Sequence, residues 1–345
     1  MSTIKDIARI SGYSIGTVSR VINHHPDVSD KARKKIEEVI KEEGFEPNVN
    51  AQFLKQARTS SIVIVMKGNG SLFLANLFDK VLKELHNHDE NADVLYINTD
   101  TDEVKTAAKY AQERKPKGIV FLGGSYKNFQ NEFSTIKVPS VLLTVGADGL
   151  NYKNLSSFST DDYEGSQMAA RLLIRHHHRN IGIIGKYPSL ATEKKHLPRY
   201  AGMVDTLTSN GIPFDPEKQY IYSPFSMKDS YEAMEKLLDK NPDMTAVFTH
   251  SDIIAIGAVR ALHDAGNRIP DDISVIGYDG IELTQFMSPR LTTIRRDADD
   301  IAERAVHDLL YRIVYPSQKG IIYKSPLQVI ESESVSDAKD WLEKK

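Results

Sequence analysis

Apolar residues fall at two different spacings along this chain. In the first forty positions they recur every three or four residues, in short runs. Ile4, Ile7 and Ala8 form one stripe, Val18, Val21 and Ile22 a second, and Ala32, Ile36, Val39 and Ile40 a third. Each predicts a short helix with one buried edge. Thr3 and Asp6 stand at capping-box spacing before the first helix. Ser14 is placed to cap the second and Ser29 the third, since a hydroxyl accepts from a free first-turn amide. Ser11-Gly12-Tyr13 makes a tight connection, with Gly12 free to take positive φ. Gly44 is expected to end the third helix. Helix, glycine turn, helix is the helix-turn-helix pattern, and its second helix is the one that reads.

The spacing changes after Arg58-Thr59-Ser60-Ser61. Continuous apolar runs now alternate with helical stripes. Strands are expected at 62–66, 94–97, 118–122 and 138–143, with helices at 72–85 and 104–114. A second run places strands at 181–184, 219–221, 246–248 and 273–276. Its helices fall at 165–174, 200–209, 231–238 and 253–262. Apolar strands between helices predict parallel sheets covered on both faces. Two such α/β units in succession predict two lobes, with a ligand cleft at the carboxyl ends of the strands.

The free edge of the second helix carries Ile15, Gly16, Ser19 and Arg20. A small, polar edge with one long cation suits a DNA major groove. Charge distribution sharpens this reading. The whole chain is net −3, yet residues 1–35 hold seven Lys and Arg against three Asp, about +4. A basic patch beside a reading helix favours phosphate contact. There are no cysteines, which excludes disulfides and thiolate metal sites and fits a cytoplasmic location. No secretory signal and no apolar run long enough to span a bilayer are expected.

The order of motifs carries a resemblance. Thr3-Ile4-Lys5-Asp6-Ile7-Ala8 is followed by Thr17-Val18-Ser19-Arg20-Val21-Ile22-Asn23. Val28-Ser29 comes next, then Pro47-Asn48 with Ala51 and Leu54. This resembles the DNA-binding end of the lactose/galactose-repressor family, and the likeness extends over nearly the whole chain. It implies a headpiece over 1–46, a hinge helix and linker over 47–60, a two-lobed effector and dimerisation core over 61–331, and a tail over 332–345. It implies DNA contacts from Thr3, Ser14, Ile15, Gly16, Thr17, Ser19, Arg20, Asn23, Asn48, Ala51, Leu54 and Lys55. A leucine at the Leu54 position wedges into the minor groove in that family. The 47–56 piece is shorter than the roughly 12–15 residues an isolated helix needs, so it should be helical only when packed.

The resemblance also implies a core like a periplasmic sugar-binding protein, in which the chain crosses between lobes three times. The first lobe should therefore regain a helix near 297–314. Arg199-Tyr200-Ala201-Gly202, Ser251-Asp252-Ile253 and Gly277-Tyr278-Asp279 resemble motifs that line the effector cleft. An arginine fork and an aspartate suit sugar hydroxyls, so Arg199 and Asp279 are assigned the ligand; Asp252 is assigned to helix capping. Phe225 falls at an aromatic stacking position, Asn69 and Phe73 face the cleft from the other lobe, Ser251 opens a helix there, and Asp161 sits at a crossover. Thr144 stands where some members carry an acidic sugar ligand, which argues against a simple galactoside.

Other signals carry less. Gly68-Asn69-Gly70 lacks the third glycine and the acidic partner of a dinucleotide loop, so no cofactor is expected. His176-His177-His178 point in different directions from a helix end, so no shared metal is expected there, and their charge suits the helix dipole. His177 stands where the family usually has glycine. No nucleophile elbow, triad spacing or paired carboxylates suggest an enzyme. The alternative, a small-ligand binder or an enzyme on the same scaffold, would need neither reading helix nor hinge. The expected partners are a pseudo-palindromic double-stranded operator, a small effector of the sugar type and a second copy of the chain, with no membrane. The tail offers only Trp341 and Leu342 as large apolar residues near its end, too few for a heptad coil, so a dimer and not a tetramer is expected.

Overall fold

A computed structural model describes residues 4–22, 28–43, 61–68, 71–187 and 197–339. Thr3, Asn23, Gly44, Asn48, Ala51, Leu54, Lys55, Asn69 and Trp341 lie outside the described residues. The chain divides into two compact units, Met1–Ser60 and Ser61–Lys345.

The first unit holds α1 (Ile4–Ser11), α2 (Ile15–Ile22) and α3 (Asp30–Glu42). All three expected stripes meet. Ile7, Ala8, Val18, Val21, Ile36 and Val39 form one buried cluster, with Tyr13, Val28 and Ile40 packed against it. Gly12 takes φ +75° and donates its amide to the Ala8 carbonyl at 3.1 Å, which ends α1 and turns the chain into α2. Ser14 caps α2 by accepting from the Thr17 amide at 3.1 Å. Ser29 does the same for α3 at the Ala32 amide.

The second unit contains two six-stranded sheets. One has the order β11-β5-β4-β3-β1-β2 and the other β12-β10-β9-β8-β6-β7. In chain order the strands are β1 (Ile62–Lys67), β2 (Ala92–Ile97), β3 (Gly118–Leu122), β4 (Ser140–Leu143), β5 (Leu155–Ser159), β6 (Ile181–Gly185), β7 (Tyr220–Tyr222), β8 (Ala246–Thr249), β9 (Ser274–Asp279), β10 (Thr292–Arg296), β11 (Ile322–Lys324) and β12 (Leu327–Ile330). All neighbours run parallel except β12, which is antiparallel to β10. The first sheet is buried on both faces: Ile62, Ile64 and Met66 join one cluster and Val63 and Val65 another. Between the strands lie α4 (Leu72–Asn87), α5 (Glu103–Arg114), α6 (Tyr126–Glu132), α7 (Asp162–Arg175), α8 (Pro198–Ser209), α9 (Pro216–Gln219), α10 (Met227–Lys240), α11 (Asp252–Asp264) and α12 (Ala298–Val314).

The chain leaves the first lobe after β5, returns through α12 after β10, and leaves again between β11 and β12. That makes three crossings, as expected. The returning α12 packs its Ile301, Ala305 and Leu309 into the cluster of Phe73, Leu77 and Val81 from α4. Strands β5, β10, β11 and β12 and helices α6 and α9 add to the elements expected from periodicity. The tail segment is not free of the core through residue 339. Ser334 is buried, donates to the Val275 carbonyl at 2.6 Å and accepts from the Thr292 amide at 2.8 Å.

His177 holds φ +63° at the end of α7, the left-handed conformation that glycine would take without cost. The three histidines diverge: His176 pairs with Asp337 at 2.9 Å, while His178 is buried between the Thr245 hydroxyl and the Ser336 carbonyl.

Candidate functional sites: a reading helix and a buried polar cleft cluster

In the first unit, α2 turns Val18 and Val21 inward and leaves Ile15, Gly16 and Arg20 exposed. Ser14 and Thr17 are partly committed to the helix itself, because their hydroxyls share a 2.9 Å hydrogen bond. A Cβ on Gly16 would meet only the Ser14 hydroxyl, at 3.7 Å. The fold therefore does not require glycine there, and an alanine would raise helix propensity by roughly 0.8–1 kcal/mol. A residue the fold does not need, on the one edge left open, points outward for its reason.

In the second unit, polar residues converge at the carboxyl ends of parallel strands. Lys186 follows β6, His250 follows β8, Asp279 ends β9 and Arg296 ends β10. Arg199, from the first turn of α8, lies among them and is 3% exposed. Its Nε donates to Asp162 at 2.9 Å and its Nη2 reaches Asp279 at 3.5 Å. Its Nη1 donates to the His250 carbonyl. The guanidinium stacks 3.8 Å from the Tyr278 ring centre, and the Tyr278 hydroxyl donates to Asp162 at 3.1 Å. Arg296 reaches Asp279 at 3.4 Å and donates to the Thr160 hydroxyl at 3.2 Å.

Burial and charge pull these groups apart. Burial raises the Asp162 carboxyl, but Arg199 and Arg296 outweigh it and hold it well below the usual carboxylate range. Burial pushes Asp279 up against the same two cations. Burial and the Arg199 charge bring Lys186 down to about 8. Burial, with the Arg199 and Lys186 charges, keeps His250 well below its ordinary value and therefore neutral. Its Nδ1 accepts from the Lys186 amide at 3.2 Å, so its proton sits on Nε2. That Nε2–H has no protein partner. Neither do Arg296 Nη2 and the Ser159 hydroxyl. All three stand at carboxyl ends of strands, β8, β10 and β5.

The residues singled out from sequence fall in different places. Arg199 and Asp279 belong to the cluster. Phe73 is buried, and its ring face is covered by the Arg296 guanidinium 4.1 Å away, a contact between the lobes. Phe225 is half-buried, with the Lys186 ammonium 5.7 Å over its ring. Asp161 instead caps α7 through the Glu164 amide at 3.1 Å and pairs with Lys324 at 3.1 Å. Ser251 caps α11 by accepting from the Ile254 amide, so the cap assigned to Asp252 belongs to its neighbour. Asp252 is fully buried and fastens two strands' ends, accepting from the Thr293 hydroxyl at 2.6 Å and the Ile281 amide at 2.9 Å. Sequence reasoning misses Asp162, Lys186, His250 and Arg296, and reaches Tyr278 only as part of the motif that ends in Asp279. Four of those five stand in or directly after strand termini, where the carboxyl-end rule alone would have found them.

Comparison with known proteins agrees with both halves. Residues 3–48 match the family of bacterial regulatory proteins, lacI family, and residues 170–335 match the periplasmic binding protein-like domain. The HTH-type transcriptional regulator MalR of Clostridium butyricum is 34% identical over 90% of this chain and 92% of its own. The HTH-type transcriptional repressor PurR of Pasteurella multocida is 30% identical over 97% of this chain and 99% of its own. Among solved structures, the lac repressor dimer bound to operator and the anti-inducer ONPF has a TM-score of 0.76 at 23% identity, covering 97% of this chain and 99% of that one. The transcriptional regulator CelR–cellobiose complex has a TM-score of 0.68 at 24% identity, covering 97% and 100%.

Proposed function

We propose, from the premise that the chain belongs to the lacI family of bacterial regulatory proteins and is a DNA-binding transcriptional regulator, that a polyhydroxylated effector bound between the lobes controls its hold on an operator. The observation that carries this is the pair of buried polar atoms without protein partners, His250 Nε2 and Arg296 Nη2, on residues that bond the Arg199–Asp162–Asp279 cluster, with a third, Ser159 Oγ, at the end of β5. An unsatisfied buried donor costs free energy that a ligand oxygen would recover. Sugar hydroxyls both donate and accept, which suits a cluster of guanidinium, imidazole N–H and carboxylate groups. A sugar or sugar derivative is therefore the effector class. The cellobiose held by a relative of like fold supports the same choice.

On the DNA side, α2 enters the major groove and the hinge over 47–60 enters the minor groove. A homodimer presents two headpieces to a pseudo-palindromic site in the cytoplasm. The names of the MalR and PurR relatives support regulation by repression. Selection from a random duplex library by the full chain tests this reading. We expect a two-fold site in which Arg20 reads a guanine through O6 and N7 and Ile15 meets a thymine methyl. Arg20→Ala should weaken specific binding by about 1–3 kcal/mol and relax one G position. An unchanged consensus from Arg20→Ala would refute the assignment.

A further inference from the structure

A second cluster of ligating side chains stands away from the cleft, on the outer helices of the first lobe. Glu84 in the last turn of α4 and His88, which caps that helix, are one turn apart. His307 comes from α12, packed beside α4. His88 Nε2 is 3.3 Å from Glu84 Oε1, and His307 Nε2 is 3.4 Å from the same oxygen. The two imidazole rings lie edge to face, 5.1 Å between centres. All three ligand atoms fall within 4.8 Å of one another. We propose that Glu84, His88 and His307 bind a divalent transition-metal ion of the zinc type, which staples the returning helix α12 to α4.

The distances argue for an ion rather than for ion pairing alone. In tetrahedral coordination with bonds of about 2.0–2.1 Å, ligand atoms sit roughly 3.3–3.4 Å apart. Two of the three edges already have that length, and the third is no longer than 4.8 Å. Two imidazoles with one carboxylate suit zinc, cobalt or nickel, whereas calcium and magnesium call for oxygen alone. The His88 and His307 side chains are 40% and 55% exposed and Glu84 21%. Solvent therefore reaches the side where a water would complete the coordination. His88 and His307 are also far apart in sequence, so an ion bridging them ties together two segments separated by a full passage through the second lobe.

The test uses the full chain, stripped with chelator and titrated with zinc chloride and cobalt chloride by calorimetry. One equivalent should bind per chain, cobalt should show the visible absorption of a four-coordinate site, and zinc should raise the melting temperature in a chelator-reversible way. His307→Ala and Glu84→Gln should each weaken binding at least tenfold and abolish the melting shift, while melting like the parent in chelator. His263→Ala, an exposed histidine on α11, should leave binding intact. No stoichiometric binding by the parent, or binding that His307→Ala and Glu84→Gln leave unchanged, would overturn the proposal.

Discussion

Arg199 holds three acceptors at once: two carboxylates and a backbone carbonyl. We assign it a ligand role beside the structural one its contacts show, and the two separate in a stability measurement. Arg199→Ala leaves Asp162 and Asp279 buried with less compensation, and breaking such a pair costs about 3–5 kcal/mol. Denaturant unfolding of the second unit should show that loss; a change under about 1 kcal/mol would mean the guanidinium is not needed for folding. Asp252 makes a separate prediction. Burial and the nearby Asp279 push its carboxyl up to about 8. A folded-state value above the unfolded one means the protonated form is favoured by folding. That stability is fully present below the ordinary carboxylate value near 4 and is lost as pH rises to about 8. Asp252→Asn keeps an acceptor for the Ile281 amide and a donor for the Thr293 hydroxyl. Its stability should therefore lack the downward slope that the parent shows between pH 4 and 8. Equal slopes would place Asp252 as an ordinary carboxylate. Lys186 titrates in the opposite sense and mainly above pH 8, so the two effects fall in different windows. At this scale the sequence pointed to Asp161 where the structure uses Asp162. A loop offers no periodicity, so it gives no register to choose between neighbours.

Elements with one clear period were legible, and those carrying polar groups inward were not. Strands β1, β3, β6 and β8 read directly from their apolar runs. Strand β5, Leu155–Ser159, hides because three of its five residues are serines. Each of them is buried, Ser157 accepting from the Ala147 amide at 3.0 Å and Ser156 from the Ile321 amide at 2.9 Å. Strand β10 hides for a related reason: its two threonines and Arg296 are buried, and they serve Asp252, the tail and the cleft. The polarity that concealed these strands also leaves Ser159 Oγ and Arg296 Nη2 buried without protein partners at their carboxyl ends. The headpiece helices were legible because caps and stripes agree, Ser14, Ser29 and Gly12 each doing what its chemistry favours. The hinge over 47–60 rests on resemblance and on the apolar Phe53-Leu54 pair in a polar stretch. Leu54→Ala should keep effector binding and lose specific operator affinity, since the minor-groove wedge is gone. Operator titration of Leu54→Ala at parental affinity would remove the hinge from the account.

Within the second unit, three crossings between lobes join the buried polar cluster, proposed here to hold the effector, to the first lobe. The middle crossing runs directly from Arg296 of the cluster into α12, and the first runs from β5 through Thr160 into Asp162. A ligand that draws on Arg296, Asp162 and Ser159 therefore acts on residues at two crossings. It shifts the lobe arrangement only if it binds the two arrangements differently. The most direct measurement is operator titration of the full-length parent and Lys186→Gln at fixed salt, with and without a sugar chosen because it raises the parent's melting temperature. The Lys186 ammonium lies over the Tyr187 and Phe225 rings, and Lys186→Gln keeps most of the length of the side chain and the main-chain bond to His250, so the variant should fold. The account predicts that the sugar changes the parent's operator affinity at least tenfold, that Lys186→Gln loses most of that change, and that the two bind operator alike without ligand. A sugar that shifts operator affinity of Lys186→Gln as far as that of the parent would contradict it.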